Sequence, residues 1–252
     1  MAQLGREVDR APQRPVHLQL IDRSVNYARM PRKPPLGTHD TSRRPGRPAG
    51  ETPDQRARLL DAAIECYRRH GVAASSLRRI ASDAGVTPAM VNYYFGSKEL
   101  LLAAVVEERL MPAIAILREQ VEAAGDDPRA LVTGFVRGMH AAVARFPWLP
   151  SLWVREVLSE GGALRDLLVT RISPQVAQLL AGRIAGARRA GALAHDIDPR
   201  LLVVSLVGLT MFPLAAAPIW RRVFDADDID ADTLLRHTLA LLDHGLGGRD
   251  AH

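Results

Sequence analysis

Between Ser75 and Phe95 the chain starts a helix, stops it, and starts another within a few turns. Ser75-Ser76 supplies capping hydroxyls, and Leu77 to Ala84 follows at helical spacing until Gly85, which tolerates the positive φ of a tight turn. Val86-Thr87-Pro88 restarts the helix at once, with Thr87 as cap and Pro88 in the first position, where a missing N–H does no harm. Two short helices joined by a turn containing Gly make a helix-turn-helix. Ile80, Ala81, Ala84, Val86 and Val91 are expected to form its small core, with Ala81 slim enough to let the two helices approach.

The surroundings read as helix too. Hydrophobic residues make up 47% of the 252, aromatics only 5%, and long Ala/Leu/Arg-rich stretches lose little side-chain freedom in helices. No apolar/polar alternation bounded by turns argues for strands. Thr52-Pro53-Asp54 opens a first helix that Gly71 ends, and Ser97 caps a long one over Lys98–Glu122. Further helices are expected over Pro128–Arg145, Leu149–Ser159, Ala163–Ala190, Pro199–Ala216 and Asp232–Leu246. The expected fold is all-α: a flexible basic arm (1–50), a helix-turn-helix head (51–98) and a larger helical body (99–252).

Charge is concentrated at one end. Residues 1–50 hold ten basic and four acidic side chains, a greater excess than the +5 of the whole chain. That suits an arm meeting a polyanion, or a merely solvated tail. Met30 offers a second initiation point within it. The single cysteine, Cys66, permits no internal disulfide, and with no signal peptide in view a reducing cytoplasm is the expected setting. Cys66 itself reads as a packed core thiol. There is no Gly-rich phosphate loop, no Gly-x-Ser-x-Gly elbow and no metal-ligand spacing; His237 and His244 stand too far apart to share an ion. No enzyme, cofactor or metal is expected.

From Val86 through Asn92-Tyr93-Tyr94-Phe95-Gly96-Ser97-Lys98-Glu99-Leu100-Leu101 the sequence strongly resembles the TetR family of bacterial repressors. Leu59-Leu60-Asp61-Ala62-Ala63, Gly71 and Ile80 to Val86 fit the same pattern in order and spacing, so the resemblance covers about Thr52 to Leu102. It implies a three-helix head that binds DNA and a helical body that dimerises and takes up a small molecule. Thr87, Pro88, Ala89, Met90, Asn92, Tyr93 and Tyr94 then lie on the recognition helix, whose start meets base edges in the major groove. Ser76, Arg78 and Arg79 open the preceding helix, where a guanidinium reaches phosphate or guanine. Lys98 adds a charge beside free helix N–H groups. Asn92 departs from the family's usual Tyr; it can pair with adenine or contact phosphate, which leaves base preference open. Arg47, within Arg43-Arg44-Pro45-Gly46-Arg47-Pro48, suits a narrow minor groove, or a plain linker.

In the body, Phe135, Met139, His140, Trp148, Trp153 and Glu156 form the expected effector pocket, apolar with two polar groups. The twenty residues from Leu201 to Trp220 carry no charge, which is long enough for a membrane span. Pro213, Pro218 and the small Ser205 and Gly208 favour instead a helix buried in a core and a subunit interface. Leu201, Ser205 and Leu209, with the last helix's stripe of Leu235, Leu239, Leu242 and Leu246, are the expected dimer seam; packing within one subunit is the alternative. A two-fold dimer predicts a palindromic operator of double-stranded DNA, released by a largely apolar effector. The competing reading is a DNA-binding or architectural protein with no effector.

Overall fold

The computed structural model describes residues 53–246, and every regular element among them is helical. The arm at 1–50, with Arg47, and the capping Thr52 lie outside the described residues. Three helices make the head: α1 (Pro53–His70), α2 (Leu77–Asp83) and α3 (Pro88–Phe95). The stripe of α1, Leu59, Leu60, Ala63, Ile64, Cys66 and Tyr67, is no more than 2% exposed. Gly71 ends the helix at φ +83°, its N–H donating to the Tyr67 carbonyl at 2.8 Å. A left-handed residue at that place closes the last turn, and Gly adopts it without strain.

Next come α4 (Lys98–Val105), a π-helical turn (Val106–Leu110) and α5 (Met111–Ala123), where the sequence suggested one uninterrupted α-helix. Pro112 gives the reason. It has no N–H for the carbonyl of Glu108, and the ladder widens just before it, with Met111 N–H reaching back to Val106 O. The Arg109 guanidinium takes the Glu108 carbonyl instead, at 3.1 Å.

α6 (Pro128–Arg145) begins and ends where the sequence places it, with Asp127 capping the Ala130 N–H at 2.7 Å. It lies closely along α5 because Gly134 and Gly138 face that helix. A Cβ on Gly134 would sit 2.7 Å from the Gln120 carbonyl oxygen, and one on Gly138 3.0 Å from Leu117 Cδ1. Leu131, Val132, Phe135, Val136, Met139 and Ala142 of α6 are buried in the core.

α7 (Leu149–Trp153) runs into a second π-helical turn (Val154–Leu158). The single helix expected over Ala163–Ala190 is broken: α8 (Arg165–Leu167), a π turn (Leu168–Ile172), a 3-10 turn (Ser173–Gln175) and then α9 (Ala177–Arg189). Pro174 explains the break, since a proline inside a helix both removes a bond and clashes with the preceding turn. α10 (Pro199–Ala215) is followed by α11 (Ala217–Phe224), a helix missing from the sequence reading, set at 71° to α10 and opened by Pro218. α12 (Ala231–Leu246) packs on α6. Among the described residues no single helix is long and apolar enough to cross a membrane; the uncharged stretch is divided between α10 and α11.

The glycine contact yields a test. Gly134→Ala is expected to lower stability by about 1–3 kcal/mol, because the methyl must push a backbone carbonyl aside. Gly182→Ala, on α9 with nothing within 4 Å of its added Cβ, should raise stability by about 0.5–1 kcal/mol. Denaturant melts of both variants decide it, and equal effects would discount the close contact.

Candidate nucleic-acid interface

The head is assembled from its turn outward. Ser76 caps α2, its hydroxyl accepting the Arg79 N–H at 3.2 Å. Gly85 takes φ +67°, and the Val86 N–H donates to the Ala81 carbonyl at 2.9 Å, which folds the chain back into α3. Ile80, Ala81 and Val91 are fully buried, with Ala84 and Val86 packed at their edge. Thr87 holds the cap position in extended backbone, but its hydroxyl makes no capping bond. The Met90 N–H is already taken by the Thr87 carbonyl at 3.0 Å.

This packing turns one face of the head outward. Arg78 and Arg79 on α2 and Thr87, Pro88, Ala89, Asn92 and Tyr93 on α3 are all exposed, Tyr93 by 69%. Ser76 is exposed as well. Met90 is half-buried, with its sulfur accepting from the Gln55 amide on α1, so it faces the head's interior side more than its siblings. Tyr94 is half-buried and meets Tyr93 edge-on, centroids 5.4 Å apart. Phe95 is buried under the Arg56 guanidinium, 5.1 Å from its ring centre. Lys98 leans back to the Ala73 carbonyl at 2.8 Å, which parks its ammonium beside the α1–α2 connection. Two polar devices behind this face were not legible in sequence. Arg109 bridges the π turn to α1 through Asp61 at 2.8 Å and the Ala57 carbonyl at 3.1 Å, and Arg56 pairs with Glu108.

The six residues expected to line a pocket are divided between core and junction. Phe135 and Met139 are core residues; Trp148 and Trp153 are half-buried against that core. His140 is half-buried, and burial holds its imidazole below the ordinary range against the opposing pull of Asp232. Glu156 departs from its expected role as a ligand contact: its carboxylate oxygens accept the backbone N–H groups of Val72 at 2.9 Å and Ala163 at 3.0 Å. Burial, then the nearby Cys66 and Glu156, push the Tyr67 phenol up. Two open grooves lie elsewhere, one of about 320 Å³ between α6 and α12 and one of about 560 Å³ beside α9.

At the expected seam, Leu201 and Ser205 are exposed and Leu209 half-buried. Leu235, Leu239 and Leu242 are half-buried against the chain's own core, so this stripe is used at least partly within one subunit. The Leu246 side chain lies outside the described ones.

The matching family pattern, bacterial regulatory proteins of the tetR family, covers residues 59–105, from the buried stripe of α1 to the end of α4. Over this stretch the chain is similar to the TetR family. It is similar to the HTH-type transcriptional regulator BetI of Rhizobium meliloti, 39% identical over 84 residues, 29% of this chain and 41% of that protein. The nicotine-responsive transcriptional repressor HdnoR of Paenarthrobacter nicotinovorans is 39% identical over 80 residues, 32% of this chain and 41% of that one. The chain thus spans about two fifths of the length of these relatives. UidR of Escherichia coli is matched more widely, at 25% identity over 74% of this chain and 87% of that protein. Among solved structures, the ketosteroid transcriptional regulator KstR2 of Mycobacterium tuberculosis shares the fold, with a TM-score of 0.63 and 19% identity over 81% of this chain and 100% of that one.

The cap at the start of α4 provides a check on the head. Ser97 accepts the Leu100 N–H at 3.2 Å. Ser97→Ala is expected to cost about 1 kcal/mol of stability in urea titration. An unchanged midpoint would mean that the cap does not help to hold α4 behind α3.

Proposed function

We propose that the protein is a transcriptional repressor that binds a palindromic operator as a homodimer and is released by a small, largely apolar effector. The observation that carries the reading is the outward face of α2 and α3. Thr87, Pro88, Ala89, Asn92 and Tyr93 stand exposed beside Arg78 and Arg79, on the segment covered by the family match. Helix N-terminal residues of this kind read bases in the major groove, while Arg79, Tyr94 and Lys98 suit phosphate. Arg47 and its neighbours in the arm supply a basic lead-in suited to a minor groove. Head and body are assigned to residues 51–98 and 99–252, and the setting to the cytoplasm.

A dimer is supported by α10. Leu201, Val204 and Phe212 are exposed by 65%, 65% and 67%, and Ser205 and Gly208 lie on the same side without bulk. A row this apolar is characteristic of a contact surface. The effector is assigned to the body, near Met139, His140, Trp148 and Trp153, a largely apolar set with one polar group. Its differential affinity for two head arrangements would set how far it weakens DNA binding.

Footprinting on DNA flanking the gene, with excess non-specific competitor, should give a symmetric protected site; smeared protection would favour an architectural protein. On that site Arg79→Ala is expected to cost about 1–3 kcal/mol of binding if it reads a base. If it holds phosphate, the salt dependence should instead flatten by about one unit of slope. Full affinity with an unaltered slope would remove Arg79 from the interface. Leu201→Glu should sediment as a folded monomer, and a persistent dimer would place the seam elsewhere.

A further inference from the structure

Glu156 is the one buried carboxylic side chain among the described residues, 4% exposed, in the π turn that follows α7. Its neighbour Arg155 is exposed. A buried carboxylate is tolerated only where its oxygens are hydrogen-bonded. Here Oε1 accepts the Val72 N–H at 2.9 Å and Oε2 the Ala163 N–H at 3.0 Å. Val72 follows the glycine that ends α1 in the head, and Ala163 follows the Gly161-Gly162 turn of the body. One side chain therefore joins segments 84 residues apart to its own loop.

The surroundings are built around it. A Cβ at Gly71 would stand 3.1 Å from Oε1, and one at Gly162 would stand 2.3 Å from the Glu156 carbonyl oxygen. That same carbonyl accepts the Leu164 N–H at 3.0 Å. On the head side the connection continues inward. The Ser75 hydroxyl donates to the Gly71 carbonyl at 2.7 Å, and the Cys66 thiol donates to Ser75 Oγ at 3.2 Å. Ser75 immediately precedes the cap of α2. The chain of bonds thus runs from the body's π turn to the root of the helix-turn-helix. Other polar links at this junction differ in kind. Asp61 of the Arg109 pair is 64% exposed, and Arg56 and Glu108 are more than a third exposed. Such pairs are weak and screened by salt, whereas a buried and a half-buried bond from one carboxylate to backbone amides are directional.

We propose that Glu156 is a positioning residue that fixes the orientation of the head on the body, and through it the presentation of α3. The consequence for DNA rests on the reading that the head binds DNA; the orientation itself does not. Glu156→Gln keeps the shape but sets an NH2 group against one of the two amides, and Glu156→Ala leaves both without an acceptor.

The test pairs spin labels on Ser82→Cys in α2 and Glu119→Cys in α5, both exposed sites, in full-length protein diluted with unlabelled chains. Cys66 is fully buried and is spared by the label. The unaltered protein should give a narrow distance distribution, and both Glu156 variants a broader one, well below their melting temperatures. Exchange of the Val72 and Ala163 amides should accelerate about tenfold or more while Ile80 and Val91 stay protected. Affinity for the footprinted site should fall about tenfold. A lowered melting temperature with unchanged distances and unchanged Val72 exchange would overturn the proposal, leaving Glu156 a stabilising residue only. Should Glu156→Ala fail to fold, Glu156→Gln decides by the same readouts. Failure of the unaltered protein to bind any DNA would count against the repressor reading alone, and the distances would still decide the orientation.

Discussion

Eight residues of α3 make little more than two turns, too few to hold a helix in water by their own hydrogen bonds. Their shape is borrowed from what lies behind them. Val91 and Phe95 press into Ile80, Ala81 and the buried stripe of α1, and Arg56 covers the Phe95 ring. Every outward side chain of α3 is placed only as well as that small core is packed. Ala81 matters as much as any residue on the face, because a larger side chain at that buried position would change how α2 and α3 sit together.

The same dependence continues one level up. Beside the apolar core that runs through head and body, the polar ties between them are exposed ion pairs, each worth about 0–1 kcal/mol, and one buried carboxylate with two backbone partners. Behind that junction, α5 and α6 are held at close range by Gly134 and Gly138, which gives the body a stiff pair of rods. A tight frame with a directional link is what a protein needs if a change in its interior is to reach a surface far away.

Local signals were legible in the sequence; long-range ones were not. Gly85 and the Thr87-Pro88 restart announce the turn and the start of α3, and Asp127-Pro128 marks the start of α6, because capping and positive φ are decided within a few residues. Pro112, Pro174 and Pro218 reshape the helices around them, yet the apolar period runs on through the first two, so periodicity alone concealed the π turn and the break. At Pro218 the uncharged run hid the bend that separates α10 from α11. Glu156 could not be assigned from sequence for a different reason. Its partners are backbone amides, which carry no residue identity, and one of them is 84 positions away. On the candidate face, the exposed residues of α2 and α3 follow from helical phase, while the half-burial of Met90 and the turn of Lys98 toward Ala73 depend on α1 and its connection.

The π turn at Val106–Leu110 has a consequence for the chain's history. A π turn holds one residue more than the α-helical ladder needs, so it behaves as a single-codon insertion absorbed in place. Removing one residue there would restore the ordinary ladder with α4 and α5 near their present phase, but it would re-aim the side chains within the turn. Glu107 and Arg109 reach Arg171 and Asp61 only in the present phase. Length, counted in single residues, is thus under constraint at this point even where side-chain identity is free to drift.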